Sequence, residues 1–420
     1  MKKLLSIVLC VLFAGTALIV PANALDTTES GFCGGSMVQC GKYIVSAVNN
    51  VKKSKLRIYR TSLKGKKKKL VATTPTYPGT ALLTYKDKVY YRKGTAVIAY
   101  APSTGKKSKQ FDMAYGLHKA SKKDSISMLA VCPQGIVYRD ALSAIYLRGF
   151  DGSDNMVADS AASKFNSHNT FLGATEDSIF YYKTEKKSGS RYVQQMYRYI
   201  YSDLTVQKTG SFNSVKKPYN VPSDGSFCVV GDKLIFTVGG IGKSGQFEGV
   251  LCSMNKDGSG VKTLKEGAVG PVIFPAKSGA YITLTDKKGN TGLTKISDKG
   301  KLTQAVKYTD IKYPIITYTT PSGCAVGINH SKTEFSYDLY ALPKVKKTVG
   351  KMVIKAGNLL KKTDYGYILV TPTIGGSVGD LVLVTYGVYR YDNKGDFEKV
   401  YRCQSYIVNA KTGKKTLIDK

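Results

Sequence analysis

Histidine is the first residue type to consider for catalysis, because its side chain ionises near neutral pH and ligates metals. The chain has three histidines, His118, His168 and His330, in three separate segments and each among polar residues typical of loops. None of them has another His or a Cys at the spacing of a metal-binding motif. Gly375, Ser377 and Gly379 have the spacing of Gly-x-Ser-x-Gly, but they precede no predicted helix, so they form no nucleophile elbow to support a serine hydrolase. The sequence therefore predicts no catalytic residue, no metal site and no cofactor.

Carboxylates are the next candidates, since glycoside hydrolysis needs a pair of them. The acidic residues worth considering all fall in predicted hairpin turns, where Asp commonly hydrogen-bonds the local backbone. No Asp-x-Asp-x-Asp-Gly run of a calcium loop occurs. We therefore predict that these carboxylates cap turns and do no chemistry; they are Asp151, Asp154, Glu176, Asp177, Asp257 and Asp298.

Lysine dominates the charge of the chain. There are 63 basic and 29 acidic residues, a formal net charge of +34, and only nine of the basic residues are Arg. Lysines gather in turns, and the longest run is the set of candidate polyanion contacts Lys66, Lys67, Lys68 and Lys69. Scattered Lys gives a diffuse, salt-sensitive field, whereas base-edge recognition favours Arg, so no specific nucleic-acid binding is predicted. The alternative is that these lysines only keep strand edges soluble and unpaired.

The cysteines do not form a full set of disulfides. Once the N-terminal segment with Cys10 is removed, seven remain, and an odd number cannot pair completely. Cys33 and Cys40 flank a short Gly-rich segment and are the candidate disulfide. Cys228 and Cys252 fall on the first and third strands of one predicted sheet, about 9.6 Å apart, which is too far to bridge. Most of the thiols are predicted to be buried as small hydrophobic groups.

The residues considered above lie in a chain whose sequence repeats one structural pattern. Eight times, a turn is followed at once by a run of β-branched, aliphatic and aromatic residues, and the intervals are 46, 47, 43, 55, 46, 44 and 57 residues. Repeats of roughly 40 to 50 residues built from short strands are typical of propeller blades. The irregular spans 210–223, 238–249 and 344–364 are predicted to be insertions, and the first and third of them lie in the two longest intervals. The turns end at Lys42, Lys88, Gly135, Ser178, Lys233, Gly279, Gly323 and Asp380.

These intervals predict an all-β fold, a closed β-propeller of eight four-stranded blades that occupies residues 25–420. The blades are expected to start near residues 36, 80, 126, 169, 226, 271, 314 and 365. Seven blades is the alternative, because the first strand of the first unit is poorly marked. A pair of β-sandwiches also alternates strands and turns, but its strands do not normally recur in fours at a fixed period.

Several predicted blades contain a short sequence pattern that resembles a known repeat. Ile58-Tyr59-Arg60 leads to Lys64-Gly65, and similar strands lead to Asp151-Gly152-Ser153 and Asp257-Gly258-Ser259. This pattern is similar to that of exported bacterial propellers related to the low-density-lipoprotein-receptor β-propeller. The resemblance implies a fold and a compartment, not an activity. The chain has no Trp and no Tyr-Trp-Thr-Asp motif, so receptor-like ligand recognition is not implied.

The N-terminus has the features of a secretory signal. Lys2 and Lys3 precede an apolar core, and residues 22–24 form a small-x-small cleavage site, so residues 1–24 are predicted to be removed. No other stretch approaches the ~20 apolar residues of a membrane span. We expect a secreted protein, held at the surface by charge if at all. Its predicted function is non-enzymatic binding or scaffolding with an anionic cell-wall polymer, an acidic glycan or a protein partner; the alternative is a propeller lyase or hydrolase acting on an acidic polysaccharide.

Overall fold

The computed structural model describes residues 35–420, apart from short internal segments. His118, His168 and Cys33 therefore lie outside the described residues, as does the predicted signal at 1–24. No helix among the described residues is both long and apolar enough to cross a membrane. The internal segments that are not described are 51–53, 78, 80, 114–125, 141–143, 160–168, 189–190, 216–220, 223–225, 242–246, 268, 286–289, 309–313, 332–335, 346–349, 361–366 and 393–395.

The described chain is almost entirely β-strand, and its strands group into eight antiparallel sheets in sequence order. The first four blades contain β1 (Met37–Cys40), β2 (Tyr43–Asn50), β3 (Lys55–Ser62) and β4 (Lys69–Pro75); β5 (Leu83–Tyr85), β6 (Lys88–Lys93), β7 (Ala96–Tyr100) and β8 (Lys107–Asp112); β9 (Ser127–Val131), β10 (Gly135–Arg139), β11 (Ile145–Gly149) and β12 (Asp154–Ala158); and β13 (Thr170–Ala174), β14 (Ser178–Ser188), β15 (Arg191–Ile200) and β16 (Thr205–Val215).

The other four blades follow the same order. The first strand of blade 5 is split in two, and a 3-10 helix (Ala356–Leu359) separates blades 7 and 8. These blades contain β17 (Val221–Pro222), β18 (Phe227–Val230), β19 (Lys233–Ile241), β20 (Phe247–Asn255) and β21 (Lys262–Gly267); β22 (Val269–Pro275), β23 (Ala280–Thr285), β24 (Thr291–Ile296) and β25 (Leu302–Lys307); β26 (Ile315–Thr319), β27 (Ala325–His330), β28 (Tyr337–Leu342) and β29 (Lys351–Ile354); and β30 (Tyr367–Val378), β31 (Leu381–Tyr391), β32 (Phe397–Asn409) and β33 (Lys415–Asp419).

This architecture confirms the predicted eight-bladed propeller of four-stranded blades. We label the strands of each blade A to D in chain order. The A strands of successive blades contact one another and so surround the axis, and the D strands form the outer rim. Apolar clusters fill the spaces between neighbouring sheets. Five of the largest fully buried side chains are tyrosines, as expected for a Tyr-rich propeller core; they are Tyr91, Tyr181, Tyr182, Tyr199 and Tyr386.

In the described part of the chain the ring closes without any exchange of strands, through side-chain contacts and one backbone hydrogen bond from the Ser36 amide to the Gly375 carbonyl at 3.2 Å. Each blade is built from one continuous segment, so the seam between blades 8 and 1 joins the two ends of the chain. One apolar cluster spans this seam, with Met37 and Ile44 on one side and Ile407 and Ile418 on the other. Above it lies a buried carboxylate, Asp419, whose partners all come from blade 1. Asp419 accepts hydrogen bonds from Arg57 Nη1 at 2.7 Å, Tyr59 Oη at 2.7 Å and Asn50 Nδ2 at 3.4 Å.

Every D strand carries a β-bulge at the same position. In each blade two consecutive residues of strand C pair with D-strand residues that lie two apart, so one extra residue bends the outer strand. Six of the eight extra residues are apolar, and four of these are buried. In blades 1 to 8 the extra residue is Val71, Gln110, Val157, Thr209, Leu264, Ala305, Val353 and Ile418.

The spans expected to be insertions are largely regular structure. β16 continues to Val215, and β19 and β20 extend into 238–249. The span 344–364 contains β29 and the 3-10 helix. The prediction of insertions was therefore wrong for much of these spans. Gly210, Gly239 and Gly249 lie within long strands, so a composition typical of loops was misleading there.

Candidate binding surface

The A–B and C–D turns of all blades lie on one face of the propeller, because successive strands of each sheet are antiparallel. We call it the short-turn face. All of these turns are described except part of the C–D turn of blade 7, at 346–349. The B–C and D–A connections lie on the opposite face. The short-turn face can therefore be surveyed almost completely for charge.

Positive charge on the short-turn face is concentrated in three consecutive blades. The turns of blades 8, 1 and 2 contain nine lysines and two aspartates, Asp87 and Asp380. We call these turns the basic sector. The seam that closes the ring runs through it. Its lysines are Lys42, Lys64, Lys66, Lys67, Lys68, Lys86, Lys106, Lys411 and Lys414.

The neighbouring blades have the opposite charge. The A–B and C–D turns of blades 3 and 4 contain four acidic residues and no lysine, and we call them the acidic sector; the residues are Asp151, Glu176, Asp177 and Asp203. Over such a face the potential changes sign across the boundary between blades 2 and 3. A field of this kind orients a charged partner and attracts it to one sector. The lysine content alone did not reveal this polarity, because only the blade assignment places each turn.

The prediction that acidic residues cap turns is confirmed for Asp151 and Asp257. It was wrong for Asp154, because this residue already lies in β12 and pairs across the sheet with strand C. Asp151 Oδ1 accepts from the Ser153 amide at 2.9 Å and from Ser153 Oγ at 2.7 Å. Asp257 makes the same two hydrogen bonds with Ser259, at 2.9 and 2.7 Å. These hydrogen bonds lower the pKa of both carboxyls below the usual value, so the groups stay ionised. A carboxylate held in this way is suited to neither proton donation nor metal binding.

The lysine run predicted to contact polyanions lies at the centre of the basic sector. Lys66, Lys67 and Lys69 are exposed in the C–D turn of blade 1 and at the start of β4. Lys68 differs from them, because its Nζ donates to the Ile418 carbonyl across the ring seam at 2.9 Å. Its Nζ also lies 5.5 Å from the centre of the Tyr59 ring. Three of the four lysines are therefore available to a ligand, and the fourth stabilises the seam.

The contact made by Lys68 recurs at two other blade boundaries. Lys415 Nζ donates to the Val353 carbonyl at 2.5 Å, and Lys107 Nζ donates to the Val71 carbonyl. In all three cases the lysine lies on the outer edge of one blade and the acceptor is the bulged residue of the preceding blade. A bulge leaves a backbone group outside the ladder, and a hydrogen bond from a charged donor satisfies it. Part of the lysine content is therefore structural.

A cleft of about 340 Å³ runs along the outer boundary of blades 1 and 2, beside the basic sector. Val71, Ala72 and Thr73 of β4 form one wall, and residues of blade 2 form the other. Three lysines, Lys93, Lys107 and Lys109, line the cleft together with the Tyr91 ring. Lys109 pairs with Asp112 at 2.5 Å, so it is partly neutralised. The side chains that line the cleft therefore carry a net positive formal charge.

His330 is the one histidine in the described part of the chain. His330 lies exposed at the end of β27, with its ring centre 4.7 Å from that of Tyr337. No group of three or more His, Cys, Asp or Glu side chains is placed to hold a metal ion among the described residues.

The described cysteines are all buried, and no disulfide joins any two of them. The candidate disulfide of Cys33 with Cys40 stays a prediction, because Cys33 lies outside the described residues. Cys228 and Cys252 are separated by β19, so they do not bridge, as expected. Burial raises the pKa of the Cys40 thiol to about 11 and the pKa of the Cys228 and Cys252 thiols to about 12.

Buried thiols with raised pKa values should be unreactive in the folded protein, since the thiolate is the nucleophile. We expect Cys228 and Cys252 to react with an aromatic disulfide reagent at pH 8 at least about 100-fold more slowly than in urea, because reaction requires unfolding. Time-resolved labelling with peptide mapping would measure this. Fast labelling of Cys228 at low denaturant would contradict its buried position in β18.

The fold and the charged face define the class of protein: an eight-bladed β-propeller with a polarised short-turn face. Comparison with known proteins supports the fold. Dipeptidyl peptidase 4 of Porphyromonas gingivalis aligns at 10% identity and a TM-score of 0.50, over 89% of this chain and 60% of that one. A post-proline cleaving enzyme from Rickettsia typhi aligns at 13% identity and a TM-score of 0.46, over 92% of this chain and 60% of that one. An oligogalacturonate lyase aligns at 8% identity and a TM-score of 0.42, over 93% of this chain and 93% of that one.

These similarities show the propeller fold and nothing further about activity. The chain spans about three fifths of the length of the two peptidases. No protein-family model matches the sequence, and no curated protein matches it. The comparisons therefore support a propeller in general, without support for the low-density-lipoprotein-receptor-like repeat family in particular.

Proposed function

We propose that this propeller is an exported, non-enzymatic binding protein that holds an extended anionic polymer of the cell envelope on its basic sector. The observation that carries the proposal is the separation of charge on the short-turn face. Nine turn lysines against two aspartates in blades 8, 1 and 2 face four acidic residues and no lysine in blades 3 and 4. A lysine content needed only for solubility would have no reason to avoid two adjacent blades.

The polymer would be held mainly by charge. Lysine ammonium groups attract phosphate or carboxylate groups without demanding a fixed geometry, and the release of counterions makes such binding fall steeply with salt. The cleft between blades 1 and 2 offers a groove that leads away from the turn lysines along the side of the ring. The acidic sector repels the same polymer and so limits its path to one part of the ring.

Lysine footprinting tests the location directly. The protein is treated with an amine-acetylating reagent, with and without polyphosphate or a hexuronic-acid polysaccharide, and the modified sites are mapped by mass spectrometry. We expect protection of Lys64, Lys66, Lys67 and Lys414 and no protection of the exposed Lys256, Lys262, Lys299 and Lys301 of blades 5 and 6. Uniform protection of both sets would contradict a defined binding sector.

The same experiment separates binding from turnover. A binding protein returns the polymer at its original length, whereas a lyase or hydrolase returns shorter chains. Recovery of shortened polysaccharide after prolonged incubation would replace the binding role with the enzymatic alternative. Failure of both polymers to bind at low salt would leave the lysines a role in solubility alone.

A further inference from the structure

A small aromatic cleft lies at the boundary between the basic and acidic sectors. Phe150, in the C–D turn of blade 3, reaches back over two tyrosines of blade 2. Its ring centre lies 6.2 Å from that of Tyr85, with an angle of 13° between the rings, and 5.7 Å from that of Tyr90. Tyr90 is buried, whereas Phe150 keeps 39% of its surface exposed. The cleft thus has a fixed aromatic floor that is open to solvent.

Cationic and amide groups surround this floor. The cleft measures about 190 Å³, and Lys86, Lys88 and Gln110 line it together with the aromatic rings. Lys86 Nζ lies 5.2 Å from the centre of the Tyr85 ring. The one acidic residue in the lining is Asp87, between the two lysines. The lining therefore combines an apolar ring surface with two ammonium groups on one side.

This combination favours a saccharide over other anionic ligands. A pyranose ring has an apolar face of C–H groups that packs on an aromatic ring, and its edge carries hydroxyl groups that need hydrogen-bonding partners. A polyphosphate or a phospholipid head group gains nothing from an exposed phenyl ring. The volume is below the range of about 300–1,000 Å³ for drug-sized ligands, so it suits a single sugar unit.

One strand connects this cleft with the larger one between blades 1 and 2. In β8, Ser108 and Lys109 line the larger cleft, whereas the next residue, Gln110, lines the aromatic cleft. Successive side chains of a strand point to opposite faces of its sheet, so Lys109 and Gln110 lie on different sides of blade 2. A polymer that occupies both clefts would cross the outer edge of β8.

We propose that the cleft formed by Tyr85, Tyr90 and Phe150 binds one hexuronate unit of an acidic polysaccharide. The sugar ring packs on Phe150, and its carboxylate is paired with Lys86 and Lys88. This assignment rests on the proposed function, and it narrows the anionic polymer to a glycan whose charge is carried by carboxylates on sugar rings. The lysine turns then supply attraction, and the aromatic cleft supplies selectivity.

The test compares two polymers of matched charge, a hexuronic-acid oligosaccharide and a polyphosphate, labelled for fluorescence polarisation. For Phe150→Ala we expect the affinity for the oligosaccharide to fall by about 10-fold and the affinity for polyphosphate to stay within about twofold. The matched control is Phe397→Ala, because Phe397 is exposed and packs beside two tyrosines at the B–C end of blade 8, on the face opposite the short turns. The control should change neither affinity.

Salt and folding controls complete the design. At about 0.3 M salt, where charges are screened within less than 8 Å, the wild type should keep measurable oligosaccharide binding and lose polyphosphate. Phe150→Tyr should restore the affinity, and circular dichroism confirms that each variant is folded. Equal effects of Phe150→Ala on both polymers, or none on either, would overturn the aromatic site while the lysine-based function stands. If neither polymer binds the wild type at low salt, the proposed function fails as well.

Discussion

Replacement of Asp419 by Ala is expected to destabilise the whole propeller by about 3 kcal/mol, because removal of one partner leaves a buried charge network incomplete. Asp419 is the last residue of β33, and its carboxylate is 6% exposed. It accepts hydrogen bonds from Arg57 and Tyr59 across the only seam where the two ends of the chain meet. The Arg57 side chain is 25% exposed, so the expected loss in the free energy of unfolding lies at the lower end of the range for breaking a buried ion pair. Urea unfolding followed by circular dichroism would measure the change.

The matched control is Asp177→Ala. Asp177 also pairs with an arginine, at 3.0 Å from Arg198 Nη2, but its side chain is 63% exposed. We expect this substitution to cost less than about 1 kcal/mol, as for other surface ion pairs. A double variant, Asp419→Leu with Arg57→Met, should recover part of the loss because it removes both charges together. If the two aspartate substitutions have equal effects, the seam is not a weak point of the ring.

The seam matters more here than in a ring whose ends share a blade. Since blade 8 uses only the C-terminal strands, no hydrogen-bonded ladder ties it to blade 1. Closure depends on the apolar cluster around Met37 and Ile418, the Asp419 network and the contact from Lys68. Loss of the contacts between blades 8 and 1 would expose one face of each of these two sheets. The stability of the ring is thus concentrated in a few long-range contacts.

The periodic part of the fold could be predicted from the sequence with high accuracy. In blade 3 the expected strands 126–131, 135–139, 144–148 and 155–158 differ by at most one residue at each end from those observed. Turn residues mark strand ends locally, so each blade can be delimited without knowledge of the others. Asp151 and Asp257 were identified as turn caps for the same reason.

Features that depend on contacts between blades could not be predicted. The eight bulges leave no pattern in composition, since their extra residues range from Gln110 to Ile418. The role of Lys68 at the seam was missed because its acceptor lies 350 positions away in the chain. Phe150 was treated as part of a turn, and only the placement of blade 3 against blade 2 brings it over Tyr85. Sequence periodicity gives the strands, and the geometry of the ring decides which turns become neighbours.

Reversal of charge at three lysines of the basic sector and at the adjoining Lys69 is expected to reduce polyanion affinity by about 100-fold at 0.1 M salt, through loss of ionic contacts and added repulsion. The four positions are Lys64, Lys66, Lys67 and Lys69, each replaced by Glu. All four are exposed, and Lys68 is left in place because it donates to the Ile418 carbonyl. The slope of log affinity against log salt should become shallower by about three, as expected when four ionic contacts are lost.

The control for this variant changes the same charge elsewhere on the ring. Lys256, Lys262, Lys299 and Lys301 are exposed on blades 5 and 6, and their replacement by Glu gives the same net charge. With screening over about 8 Å at physiological salt, these distant lysines should contribute little, and we expect less than about a threefold change. Polarisation titrations of both variants with labelled polyphosphate would decide the matter. Equal losses in the two variants would mean that the polymer responds to the total charge of the protein and not to a binding sector.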